Sequence, residues 1–152
     1  MAGSPVLIVD GHSVIYAWEK LREQHHRKPA EARLQLEREL LAFQDSSDWK
    51  VVLVFDGQGI RTQNQAGETE LQVFYSKSGQ TADSVIERLV AKYAESREIT
   101  VATADRLEQQ TVVSFGGYFW TPEELQVEIK RAADRLRAFL KARKKNLGHG
   151  RL

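Results

Sequence analysis

The segment WKVVLVFDG, residues 49–57, decides the fold. Five consecutive apolar residues, Val51 to Phe55, run without a polar interruption into Asp56-Gly57. A segment apolar at every position, not at every second one, fits a strand covered on both faces, which is the situation of a strand in a parallel sheet. PVLIVDG, residues 5–11, repeats the plan, with Val6 to Val9 ending at Asp10-Gly11, and EITVATAD, residues 98–105, ends at Asp105. Three strands therefore finish on an aspartate.

Helical periodicity fills the intervals. ARLQLERELLAFQ, residues 32–44, places Leu36, Leu40 and Phe43 on one face, with Leu34 and Leu41 widening it. TADSVIERLVAKYAES, residues 81–96, does the same with Val85, Ile86, Leu89, Val90 and Tyr93. LQVFYS, residues 71–76, reads as a further strand, RLEQQ, residues 106–110, opens a short helix, and GYFW, residues 117–120, is a last short strand. Thr121-Pro122-Glu123-Glu124 is a helix start, with Thr as cap and Pro in the first turn. That helix is expected to run over about 122–145, with Leu125, Ile129, Ala132, Leu136 and Phe139/Leu140 as its seam. GQGIRTQNQAGETE, residues 57–70, lacks periodicity and reads as a mobile loop, and His25-His26 falls in a polar connection. Trp18, Trp49 and Trp120 read as packing residues. The alternation of strand and helix gives an α/β protein with a mainly parallel sheet.

The 152 residues make one domain of ordinary size, expected to span 1–152. A hydrophobic fraction of 41% and a charged fraction of 28% belong to a globular chain. No apolar run approaches the roughly 20 residues of a membrane span, and MAGSPVLIVD lacks a signal-peptide plan, so no membrane is expected and the cytoplasm is the expected compartment. Without cysteine, any metal must be held by oxygen or histidine. No Walker loop, G-x-G-x-x-G or Ser-His-Asp order is present, so no nucleotide cofactor is expected. Charge is uneven. From Lys130 onward nine Lys/Arg face Asp134 alone, a local charge of +8, and the first 129 residues carry 13 basic and 20 acidic residues, or −7. Lys130, Arg131, Arg135, Lys141, Arg143, Lys144 and Lys145 are accordingly candidates for contact with a polyanion such as RNA, or a solvated helix face.

In an open parallel sheet, the carboxyl ends of all strands share one edge, and each following helix begins there. Asp10, Asp56, Asp105 and the helix-start Asp83 should therefore converge. Gathered carboxylates raise one another's pKa and destabilise the fold unless a cation joins them, and Mg²⁺ or Mn²⁺ suits such an oxygen set. Singly, each aspartate also fits a turn or helix start, and Asp105 with Glu108 resembles a capping box. Ser13, Thr103 and Glu87 are supporting candidates at the same edge.

LIVDGHSVIYAW, VVLVFDG, VFYSKSGQTADSVIERLV and ITVATADRLEQ resemble, in order and spacing, the NYN domains of the YacP type, a branch of the PIN-like metal-dependent nucleases. The resemblance covers roughly Val6 to Leu125. It implies a PIN-like three-layer α/β/α sandwich in which Asp10, Asp83 and Asp105 are catalytic metal-binding residues and Asp56 is supporting. Members include a ribosome-associated endoribonuclease that cuts messenger RNA. Where the family usually reads VDGYNII this chain reads VDGHSVI, and the serine at 13 is shorter than asparagine. The expectation is a divalent-metal-dependent endoribonuclease that cleaves RNA, messenger RNA on the ribosome in particular, through attack of metal-activated water on the phosphodiester. The alternative is an RNA- or ribosome-binding module that keeps the fold and cleaves weakly or not at all. An aspartate-nucleophile phosphatase would need an acid where His12 stands.

Overall fold

The computed structural model describes residues 3–57, 70–77 and 79–149. Most of the loop expected over 57–70 thus lies outside the described residues. Five strands, β1 (Val6–Asp10), β2 (Lys50–Phe55), β3 (Gln72–Tyr75), β4 (Ile99–Ala102) and β5 (Tyr118–Trp120), form one sheet in the order β3-β2-β1-β4-β5. Every neighbouring pair is parallel. The interleaved helices are α1 (Gly11–Ala17), α2 (Glu19–Arg27), α3 (Pro29–Asp45), α4 (Ala82–Tyr93), α5 (Arg106–Ser114) and α6 (Pro122–His149).

Strand alternation divides the core into two layers. Leu7 and Val9 of β1, with Val51, Leu53 and Phe55 of β2, pack against α1, α2, α3 and α6. Val6 and Ile8, with Val52, Val54, Ile99 and Val101, pack against α4 and α5. Helices on both faces make the three-layer α/β/α sandwich. The alternation also aims the ends of the strands: Asp10 continues the Val6–Ile8 side and Thr103 the Ile99–Val101 side, so both are directed toward α4 and α5.

Helix ends follow local chemistry. Thr81 and Ser84 exchange side-chain and backbone bonds in a capping box at α4. Thr121 and Glu124 do the same at α6, at 3.1 and 2.8 Å. The indole N–H of Trp18 donates to the Pro122 carbonyl at 2.9 Å and ties the end of α1 to the root of α6.

Three expectations are corrected. The polar stretch holding His25-His26 is helix α2, fixed by buried Leu21 and by Trp18 at its start. Leu34 leaves the apolar face of α3 for solvent, at 45% exposure. Helix α6 is longer than expected and its seam is buried only in its first half. Leu125 and Ala132 are enclosed, whereas Leu136, Phe139 and Leu140 are exposed. Near its middle, Ile129, Ala133, Leu136 and Leu140 flank a groove shared with Ala42, Phe43 and Ser46 at the end of α3. That end of α3 leads into β2, so α6 runs from the carboxyl edge of the sheet to its amino edge and continues past it.

Gly11 is a close-approach glycine: a Cβ there would stand 2.4 Å from Cε1 of fully buried Phe55. Gly11→Ala should therefore lower stability by about 1–3 kcal/mol, the usual range for overpacking, measured by urea unfolding with an unchanged slope.

Candidate metal centre at the carboxyl edge

Asp10 lies at the end of central β1, Asp83 in the first turn of α4 and Glu108 in the first turn of α5, and each offers a carboxylate oxygen within 4.8 Å of the others. Asp10 and Glu108 are buried and Asp83 is exposed. The cap of α4 is supplied by Thr81, which leaves the Asp83 carboxylate available to the cluster. Thr103 holds Asp10, donating from Oγ1 to Oδ2 at 3.2 Å, while the same Oγ1 accepts the Asp105 N–H at 3.1 Å.

Neither oxygen of Glu108 has a hydrogen-bond donor among the described residues. Its polar neighbours are the carboxyls of Asp10 and Asp83, acceptors like itself unless a proton is shared between them, and the Thr103 hydroxyl, which lowers its pKa slightly but has its proton directed to Asp10. Burial first, and then the two neighbouring carboxyls, push the Glu108 carboxyl up to about 10. Burial, with Asp83 adding to it, also raises Asp10, against the hydrogen bond from Thr103 and its proton-sharing contact with Glu108. No Lys or Arg pairs with any of the three among the described residues. Two buried carboxyls and a third at the rim, with the Thr103 hydroxyl on Asp10 and no pairing cation among the described residues, form a set that either holds a proton or binds a hard cation, and the all-oxygen donors fit Mg²⁺ or Mn²⁺.

The other expected residues are placed differently. Asp105 is the cap of α5, its Oδ1 accepting the N–H groups of Leu107 and Glu108 at 2.9 and 3.3 Å. It is not a member of the cluster, and Glu108, one turn further on, stands in its place. The signal is present in the spacing Asp105-x-x-Glu108, which fits a cap pair, but the glutamate does not complete that box: the Asp105 N–H goes to Thr103. Asp56 is exposed and accepts from the Ser76 hydroxyl at 3.0 Å, which joins the ends of β2 and β3. Ser13 accepts the Ala104 N–H at 2.7 Å, bracing α1 against the end of β4. Glu87 is exposed on α4, outside the cluster.

His12 stands beside this edge, its ring 5.5 Å from that of Phe55, 6.3 Å from Tyr16 and 6.2 Å from His25. Burial lowers its pKa, opposed by Asp10. The basic residues lie elsewhere. Lys130 and Arg137 pair with Asp134 at 3.4 and 2.6 Å, and Arg131 pairs with Glu128 at 3.0 Å. Arg135, Lys141, Arg143, Lys144 and Lys145 are exposed. Since α6 ends beyond the amino edge, its last basic turns face away from the carboxylates.

A carboxyl whose pKa is higher folded than unfolded holds extra protons in the folded chain, so its contribution falls as pH rises. The burial-lowered His12 has the opposite slope, and that slope is finished above its ordinary range. In EDTA, melting temperature should therefore fall between about pH 7.5 and about pH 9.5. Glu108→Gln should raise it and flatten that fall, and Mn²⁺ should stabilise the parent chain more than this variant, by differential scanning calorimetry.

Comparison with known proteins agrees with this architecture. The YacP-like NYN domain family matches residues 7–151. The curated protein YacP of Bacillus subtilis (strain 168), described as uncharacterized, is 28% identical over 133 residues, covering 86% of this chain and 78% of that one. Two crystal structures of Rae1 (YacP) from Bacillus subtilis superpose with a TM-score of 0.76 at 27% identity. The W164L mutant covers 91% of this chain and 82% of its own, and the other structure covers 95% and 84%. A parallel sheet with acidic residues gathered at its carboxyl edge, and a family match across nearly the whole chain, lead to one conclusion: the chain belongs to the YacP-like NYN domain family, whose fold is nuclease-like.

Proposed function

We propose that this protein is a divalent-metal-dependent endoribonuclease. The observation that carries the reading is the trio Asp10, Asp83 and Glu108, two of them buried and one of those, Glu108, without a hydrogen-bond donor among the described residues, at the ligand-binding edge of a nuclease-like fold. These three carboxylates would hold Mg²⁺ or Mn²⁺. The bound ion supplies Lewis acidity, lowering the pKa of water and offsetting charge on the phosphate oxygens. The chain's own part is positional. Thr103 fixes the orientation of Asp10 through Oδ2, and the capped start of α4 fixes Asp83 at the solvent rim, where a phosphodiester approaches. Ser13 and Asp105 brace the adjoining backbone. Water adds to phosphorus as the 3′-oxygen leaves, giving a 5′-phosphate and a 3′-hydroxyl.

Basic residues of α6, Lys141, Arg143, Lys144 and Lys145, are assigned to a second contact with RNA. About 19 residues of helix separate Pro122 from Lys141, or roughly 29 Å. That distance suits docking on a large RNA such as the ribosome better than gripping the scissile strand, so translated messenger RNA is the proposed substrate. A binding module that cleaves weakly is the second reading. It is favoured by Ser13, which stands where the family usually has asparagine and whose hydroxyl oxygen accepts the Ala104 N–H.

Purified protein should cleave translated messenger RNA with Mn²⁺ or Mg²⁺ and not with EDTA, and Asp10→Asn and Asp83→Asn should abolish cleavage. Thr103→Val should cost about 10–100-fold in metal affinity or rate, the usual scale for a residue that orients a ligand. Ribosome binding without metal-dependent cleavage would select the second reading. Lys141→Ala with Lys144→Ala should weaken RNA binding at every sequence and reduce its salt dependence.

A further inference from the structure

Helix α5 also presents a face turned away from the carboxylates. Between it and edge strand β5 lies a hollow of about 310 Å³ lined by Arg106, Gln109, Gln110, Val113 and Phe119. At about 100° per residue, the four α5 residues share one face of the helix and Glu108 lies on the other. Phe119 pairs in register with Val101, whose side chain belongs to the α4–α5 layer, so its ring closes the hollow from the sheet side.

The lining is unusually free. Arg106 and Gln110 have no ion pair or hydrogen bond among the described residues, and no carboxylate lines the hollow. Gln109 uses its amide N–H on the Thr103 carbonyl at 2.8 Å, leaving its oxygen as an acceptor. Phe119 is 37% exposed. A guanidinium suits a phosphate, free amide groups suit the edge of a base, and an exposed ring suits its face. An acidic peptide would use the guanidinium and leave the ring without a partner, and an apolar ligand would bury the guanidinium unpaired. The volume lies at the small end of ligand sites, as one nucleotide requires.

Thr103 connects this hollow to the carboxylates. Its carbonyl receives Gln109 of the hollow and its hydroxyl holds Asp10 of the cluster. The two sites are thus fixed relative to each other across one helix, a diameter of about 10 Å.

We infer that the hollow is a subsite for one nucleotide of single-stranded RNA flanking the scissile phosphate. The inference rests on the RNA reading above, and its test needs no cleavage. Protein-observed NMR titration in EDTA with the four nucleoside 5′-monophosphates, and with inorganic phosphate as control, locates binding. Fluorescence anisotropy with a single-stranded RNA hexamer measures affinity. The expected result is that at least one monophosphate, and not phosphate alone, shifts the amide signals of Gln110, Val113 and Phe119. Phe119→Leu, which keeps an apolar side chain, and Gln110→Ala should each weaken hexamer binding by about tenfold, with unchanged melting temperature. Absence of shifts at the hollow, or shifts there with unaltered hexamer affinity in both variants, overturns the inference; the latter outcome would assign the hollow to a free nucleotide. Loss of the nuclease reading would instead show as intact hexamer binding without metal-dependent cleavage.

Discussion

Two buried carboxyls, Asp10 and Glu108, meet without a chain cation between them, and the carboxyl edge of the sheet is organised around that repulsion. A protein interior penalises an unpaired charge heavily, so a set of this kind persists only with a proton or a cation in place. Asp83 completes the set from the solvent side. Thr103 offers Asp10 its donor, and the burial that raises Glu108 to about 10 also keeps bulk water from dissipating the conflict.

The sheet makes this convergence possible. Because β1 is central and flanked by β2 and β4, its last side chain opens into the space between helices that start on either side of it. Close packing at the same edge leaves little latitude: Gly11 lets α1 begin against the Phe55 ring, the Ser13 hydroxyl fastens α1 to the end of β4 by one hydrogen bond, and the Ser76 hydroxyl fastens the ends of β2 and β3 by two. Acidic and aromatic groups therefore share an edge whose backbone is held from several sides.

Much of this was legible in the sequence. Continuous apolar runs ending in aspartate gave the parallel sheet and located Asp10, because strand direction alone sets which edge receives a terminal residue. Asp83 was legible because helix α4 has a separate cap in Thr81. Glu108 was not, since a glutamate one turn into a short helix looks like a capping partner until the helix is rotated into place and buries it. Asp105 had the better motif and is the cap of α5. The helices α1 and α2, of 7 and 9 residues, are too short for periodicity to declare them. The seam of α6 was overread for the opposite reason: its pattern of Leu and Phe continues after the body it packs against has ended, and a repeat along one helix carries no information about how far its neighbour extends.

The order of assembly follows from where the three carboxylates sit in the chain. Asp10 is 73 residues from Asp83 and 98 from Glu108, so the cluster has no local precursor and comes into being only when β4 has paired with β1 and α5 has closed over it. Contacts of such separation form late and slowly. The last step of closure is then the one that the carboxylates resist at neutral pH and that a proton or divalent ion assists. During synthesis, a chain emerging from the ribosome carries Asp10 and Asp83 well before Glu108, and the acidic site stays incomplete until α5 has been made.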